Sequence, residues 1–178
     1  MKRTLALLPL VLVTLASLLW SQNPPPMPKP SPEHQRLHYY VGDWKTEAES
    51  KPSPFGPGGK LTANNHNEML GDFFVVFHGD GTAQMGPVKT LAAIGYDSKE
   101  KAYTFDEFTS TGEHAKAMGT VSGDTWTWTF SGNEGGKDFK GRFTLKEVSP
   151  TSYTFTNELS IDGGPWAKLE EGKATKAK

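Results

Sequence analysis

Trp126-Thr127-Trp128-Thr129-Phe130 alternates aromatic and hydroxyl side chains without a break. Successive side chains of a strand point to opposite faces, so this stretch reads as a strand with one aromatic, buried face and one solvated threonine face. Tyr103-Thr104-Phe105 and Tyr153-Thr154-Phe155-Thr156 repeat the pattern. Between 138 and 147, Phe139, Phe143 and Leu145 share one parity, while Lys140, Arg142, Thr144 and Lys146 share the other. Phe73-Phe74-Val75-Val76-Phe77 does not alternate. A continuous apolar run is expected where both faces are covered, or where one faces a cavity and the other a lid.

Working outward from these strands, turn residues fall at 71–72, 79–81, 97–100, 122–124, 132–136, 149–150 and 162–164. They delimit ten strands, at 43–50, 60–69, 72–79, 88–96, 101–109, 114–121, 124–131, 137–147, 151–160 and 164–174. The connections are nearly all of hairpin length and leave no room for crossover helices. The expected fold is therefore all-β, an up-and-down antiparallel β-barrel of about ten strands preceded by a short N-terminal helix. A sandwich usually needs a longer Greek-key return, and closure removes the exposed edges that an open sheet would carry. Segments 51–59 and 79–87 read as the most loop-like interior stretches. Ahead of the strands, Ser31-Pro32-Glu33 supplies a hydroxyl cap, a first-turn proline and an acid near the positive end of a helix. A short helix over 34–41 follows, with Leu37, Tyr40 and Val41 as its apolar stripe and Gly42 as its stop.

The opening of the chain has a different character. Lys2 and Arg3 precede an apolar run from Leu5 to Trp20, and polar Ser21, Gln22 and Asn23 follow. These are the parts of a secretory signal peptide, assigned to residues 1–21. The run contains Pro9 and is shorter than the roughly 20 residues of a membrane-spanning helix. An uncleaved anchor is the alternative. Residues 22–32 are rich in proline and read as an extended, semi-rigid linker. The barrel domain is assigned to 33–178, and the expected location is outside the cytoplasm, periplasmic or secreted, with no membrane span once the signal is removed.

The composition excludes several classes. Among 178 residues there is no Cys, so a disulfide scaffold, a thiolate metal site and a Cys nucleophile are all ruled out. Nineteen Lys and Arg stand against twenty Asp and Glu, and no basic footprint for nucleic acid is present. A hydrophobic fraction of 35% is low, yet all but Trp20 of the Phe, Tyr and Trp residues lie beyond the leader. Large side chains on alternate positions cover one face of a closed sheet with few residues.

The helix leading into Gly42-Asp43-Trp44 resembles the opening of lipocalin-type, or calycin, barrels, in which a Gly-x-Trp closes the barrel floor. Pro32-Glu33-His34, Leu37, Val41-Gly42-Asp43-Trp44, Met69-Leu70-Gly71, Gly95-Tyr96-Asp97 and Lys101-x-Tyr103 together resemble the DUF1579 family, a bacterial family of unknown function. The resemblance runs from about Pro32 to Lys173 and implies a lipocalin-like barrel with Gly42 and Trp44 at its floor. It implies no reaction. Family members often carry an Arg shortly before the Leu-Gly, where this chain reads Asn64-Asn65-His66-Asn67-Glu68. The nitrobindins, a related ten-stranded family, hold haem through a His near the C-terminal end. The last His here is His114, so haem is disfavoured, with His66 and His78 as the substitute ligands left open, and no cofactor is assigned.

Barrels of this size either pack their interior or hold one small ligand. The aromatic strands point to an interior that takes a small hydrophobic or amphipathic molecule, with Trp126, Trp128, Tyr153 and Phe155 as its wall. In 64–69, alternation puts Asn64, His66 and Glu68 on one face and Asn65, Asn67 and Met69 on the other. If the first face points inward, His66 and Glu68, with Asn157, are the polar contacts that orient the ligand; if it points outward, it is a solvated face. His34 and His38 have the i, i+4 spacing of metal ligands, but no third ligand is near and no metal is assigned. Catalytic motifs are absent: there is no Gly-x-Ser-x-Gly, His-Glu-x-x-His or P-loop. Two alternatives stay open, an enzyme using Glu68 or Glu158 as an acid or base at the barrel mouth, and a filled barrel acting as an envelope interaction module.

Overall fold

The computed structural model describes residues 27–54, 56–83 and 86–177. Residues 1–21, expected to be a signal peptide, and 22–26 of the expected proline-rich linker lie outside the described residues. A five-residue helix α1 (Pro32–Arg36) runs into a 3-10 turn (Leu37–Tyr40). Ten strands follow: β1 (Gly42–Ser50), β2 (Gly59–Leu70), β3 (Phe74–Ala83), β4 (Gly86–Asp97), β5 (Ala102–Thr109), β6 (His114–Ser122), β7 (Thr125–Glu134), β8 (Lys137–Ser149), β9 (Ser152–Ile161) and β10 (Ala167–Lys176). Each pairs antiparallel with its sequence neighbours, and β1 pairs with β10 to close the barrel. The ten-stranded meander is as the strand spacing predicts.

Alternation decides what goes inside. Tyr103, Trp126, Trp128, Leu145 and Phe155 are all buried on the inner face, and Trp44 and Trp126 are wholly enclosed. Closure leaves no edge strand, so the sheet's backbone groups satisfy one another without a covalent staple.

Four local expectations need correction. The helix begins at Pro32 and tightens into a 3-10 turn, because Ser31 and His34 form a reciprocal cap at its start. The segment 79–87 is not a loop: β3 continues to Ala83 and β4 starts at Gly86. Gly79 and Gly81 sit at inward positions where a Cβ would press on Asn65 Oδ1 at 2.7 Å and on the Thr62 carbonyl at 2.9 Å. They are there for close packing, not for a turn. The turn expected at 132–136 narrows to Gly135-Gly136, which carry φ of 58° and 79°, while β7 runs on to Glu134. Finally, 73–77 is not covered on both faces. Val75 is fully buried, but Phe74 is 44% exposed and lies over Gly95 on the outer wall.

Candidate ligand-binding site

One end of the barrel is plugged by the N-terminal segment. Leu37 and Tyr40 of the 3-10 turn are buried, and the Tyr40 ring packs 5.1 Å from Trp126 and 5.7 Å from Phe77. The Tyr40 carbonyl accepts from Trp44 Nε1 at 2.7 Å and from Asn67 Nδ2 at 2.9 Å. Tyr39 Oη donates to the carbonyls of Ser149 and Ser152, and Tyr103 Oη to that of Glu33. Arg36 donates to the Gly123 carbonyl at 2.9 Å and pairs with Glu147, whose Oε1 also accepts from Trp126 Nε1 at 2.7 Å. Gly42, at φ 113°, turns the chain out of the plug into β1, a conformation that favours glycine. The floor is thus tied to the hairpin turns that end β6 and β8.

Above this floor the barrel is hollow. A cavity of about 770 Å³ extends to the open end, bordered there by Ser50, Ser53 and Gly58, by Ala83 and Gly86 at the ends of β3 and β4, and by Thr111 and Glu113 of the β5–β6 turn. The aromatic load does not fill it because several rings lie flat on the wall. Trp128 is opposite Gly119 and Phe130 is opposite Gly141, and a Cβ on either glycine would overlap the ring. A side chain lying on a neighbouring glycine covers backbone and leaves the lumen open. Phe77, Phe105, Trp128, Phe143 and Phe155 form the apolar lining.

A few polar groups interrupt that lining. Asn65 Nδ2 is 3.5 Å from Thr46 Oγ1. Asn157 Oδ1 and Tyr40 Oη are buried with no hydrogen-bond partner among the described residues. Tyr153 is held in its neutral form by burial, its pKa raised above the ordinary phenol range. Glu107 also lines the cavity, facing Ala92 across β4 and Ala115 across β6. Burial, and then the nearby Glu113 carboxylate, raises the Glu107 pKa above the ordinary carboxylate range.

Of the residues assigned from sequence, Trp128, Tyr153, Phe155 and Asn157 line the cavity. Trp126 lies beneath it, stacked 6.1 Å from Trp128, and Trp44 belongs to the floor. His66 and Glu68 require correction, because they face solvent on the outer wall. His66 Nδ1 is 2.7 Å from Asp43 Oδ1, which raises the His66 pKa, and Glu68 is 3.7 Å from His78. The inward positions of β2 are instead Asn65, Asn67 and Met69, fixed by the bond from Asn67 to the floor. Glu158 is outside as well, held by Arg142 through two hydrogen bonds of 3.0 and 2.7 Å. Glu107 is the inward acid that sequence reasoning missed. Continuing the Tyr103, Phe105 parity by one step would have found it, but Phe108 on the opposite parity competes for the same inference.

A closed ten-stranded meander, floored by a short N-terminal helix and hollow above it, is a lipocalin-like barrel. The chain belongs to the DUF1579 family, described as a protein of unknown function, whose family model matches residues 29–176. No match was found among curated proteins. Among solved structures, the chain is similar to Rv2717c from M. tuberculosis, at 12% identity and a TM-score of 0.60, over 84% of this chain and 100% of that one. It is also similar to the S-type phycobiliprotein lyase CPES from Guillardia theta, at 9% identity and a TM-score of 0.58, over 82% of this chain and 93% of that one. At such identities the likeness is one of fold. Among the described residues no helix is long and apolar enough to cross a membrane.

Proposed function

We propose that this protein is an exported barrel that binds one small hydrophobic or amphipathic molecule in its lumen. The carrying observation is the cavity of about 770 Å³ with an aromatic lining, a closed floor and an open mouth. It falls in the roughly 300–1,000 Å³ range of small-molecule sites, larger than a filled barrel acting only as an interaction module would need. The unpartnered Asn157 Oδ1 and Tyr40 Oη support the same reading, since buried polar groups ordinarily have a partner. The basic and apolar opening of the sequence supports export, with 1–21 as the signal and 22–32 as a spacer.

Native mass spectrometry of the protein purified from its own host tests this reading. A retained small molecule is expected, together with a rise in melting temperature against members of a lipid and metabolite panel. A clean apo mass with no thermal shift would contradict it. A second reading, acid–base chemistry at the mouth, is favoured by Glu107, an inward acid with a raised pKa, since Glu68 and Glu158 are turned outward. It predicts turnover that is lost in Glu107→Gln and falls as Glu107 ionises or protonates, while the binding reading requires no turnover.

A further inference from the structure

We infer that the barrel is selective for a cationic amphiphile, with an apolar body against Phe105, Trp128 and Phe155 and a protonated nitrogen beside Glu107. This rests on the ligand-binding reading above and adds the charge of the head group.

Strand parity sorts the charged groups of the upper barrel. The ionisable side chains at inward positions there are Glu107 on β5, Glu113 at the entry to β6 and Glu170 on β10. Lys51, Lys60 and Lys116 also border the cavity, but Lys51 lies past the end of β1 near the Glu171 carboxylate, and Lys60 and Lys116 occupy outward positions of β2 and β6, where Lys116 pairs with Asp106 at 3.4 Å. Arg36 is committed to Glu147 at the closed end, and Arg142 to Glu158 on the outer wall. Glu170 accepts from Ser50 Oγ at 2.6 Å. Glu107 has neither an ion pair nor a side-chain hydrogen bond among the described residues. Its cross-strand neighbours, Ala92 and Ala115, leave space beside the carboxyl group instead of filling it.

A carboxyl in an apolar lumen, close to a second acid and without a hydrogen-bond donor of its own, gains most as an anion from a cation brought in from outside. Two of the three orphaned polar atoms among the described residues, those that line the cavity, agree with this. Asn157 Oδ1 is an acceptor without a donor, and its residue lies across from Glu170 in the β9–β10 register. An ammonium offers donors and no acceptor, which suits a carboxylate and an amide oxygen. Tyr40 is 3% exposed, and its unpartnered hydroxyl at the floor of the same cavity leaves a polar point at the far end. A carboxylate ligand would place like charges together at Glu107.

Binding of dodecylamine, dodecanol and dodecanoate, each below its micelle concentration at neutral pH, tests the inference through intrinsic tryptophan fluorescence. The wild-type protein is expected to prefer the amine to the alcohol by about tenfold and to bind the carboxylate most weakly. Glu107→Gln, nearly isosteric, should bring the amine-to-alcohol ratio close to one. Asp106→Asn, on the adjacent outward position, should leave the ratio intact. Glu113→Gln at the rim should reduce it in part. If dodecanol binds but the amine has no advantage, or if the advantage survives Glu107→Gln, the cationic inference is overturned while the ligand-binding reading stands. If none of the three binds, both fall.

Discussion

Substituting Glu147 separates the forces that hold the barrel floor in place. Its Oε1 accepts from the indole of Trp126, which is wholly buried, and also meets Arg36 at 2.9 Å. Glu147→Ala would leave the indole N–H enclosed without an acceptor, at a cost of about 1–3 kcal/mol. The ion pair adds less, because the Arg36 side chain is 36% exposed and screened by solvent. Discounted in that way it contributes on the order of 0.5–1 kcal/mol. The total of about 2–4 kcal/mol corresponds to a fall in Tm of roughly 5–12 °C for a domain of this size. Glu147→Gln keeps an oxygen acceptor facing Trp126, so its cost should stay below about 1 kcal/mol. Thermal unfolding followed by far-UV circular dichroism, with the near-UV band reporting Trp126, reads both variants. If Glu147→Gln destabilises as much as Glu147→Ala, charge and not the indole acceptor holds the floor, and the reasoning fails.

Alkaline titration gives a second check. Burial, with help from Glu147 and Glu33 respectively, raises the pKa of Tyr39 and Tyr103 from 10.0 to about 12. Keeping the two phenols neutral therefore stabilises the fold fully below pH 10 and loses that effect as pH rises through about 12. Their phenolate absorbance should appear only near that upper value or with unfolding, and ionisation near pH 10 in the intact fold would contradict the packing. On the outer wall, NMR should find His66 titrating above 6.5 because Asp43 favours its charged form. That contribution is present below 6.5 and lost as pH rises through the shifted value, and Asp43→Asn should remove the shift. In the lumen, Ala117 faces Phe105 across β5–β6, and Ala117→Phe would put a ring into empty space. Dodecanol affinity should fall by at least about tenfold, with stability changed by no more than about 1–2 kcal/mol. Unchanged binding would place the ligand elsewhere.

The sequence is most legible where aromatic residues mark a parity. Trp126 and Trp128, Tyr153 and Phe155, and Phe143 and Leu145 each announce an inner face, and the ten strands follow from their repetition between turns. Residues 64–68 carry polar side chains at every position, so neither face is apolar and alternation alone cannot orient the strand. Its orientation comes from a tertiary bond, Asn67 to the Tyr40 carbonyl, that no local pattern contains. Gly79 and Gly81 mislead for a related reason. A Gly-Asp-Gly triplet has the composition of a turn, and only the crowding around Asn65 and Thr62 shows why glycine is needed inside a strand. The hollowness of the barrel was equally out of reach, since it depends on which glycine each ring lies upon. Glu107 lies between both cases: its parity was readable, but its isolation from every cation was not.

Quenching by 12-bromododecan-1-ol reports whether the lumen itself holds the ligand. Trp128 lines the cavity, whereas Trp166 is 45% exposed on the outer wall beneath Arg142. Binding inside the barrel predicts quenching that saturates at one ligand per chain, weakens in Trp128→Phe and needs at least about tenfold more ligand in Ala117→Phe. Quenching that grows without saturation, or that persists unchanged when Ala117→Phe occupies the lumen, would contradict it.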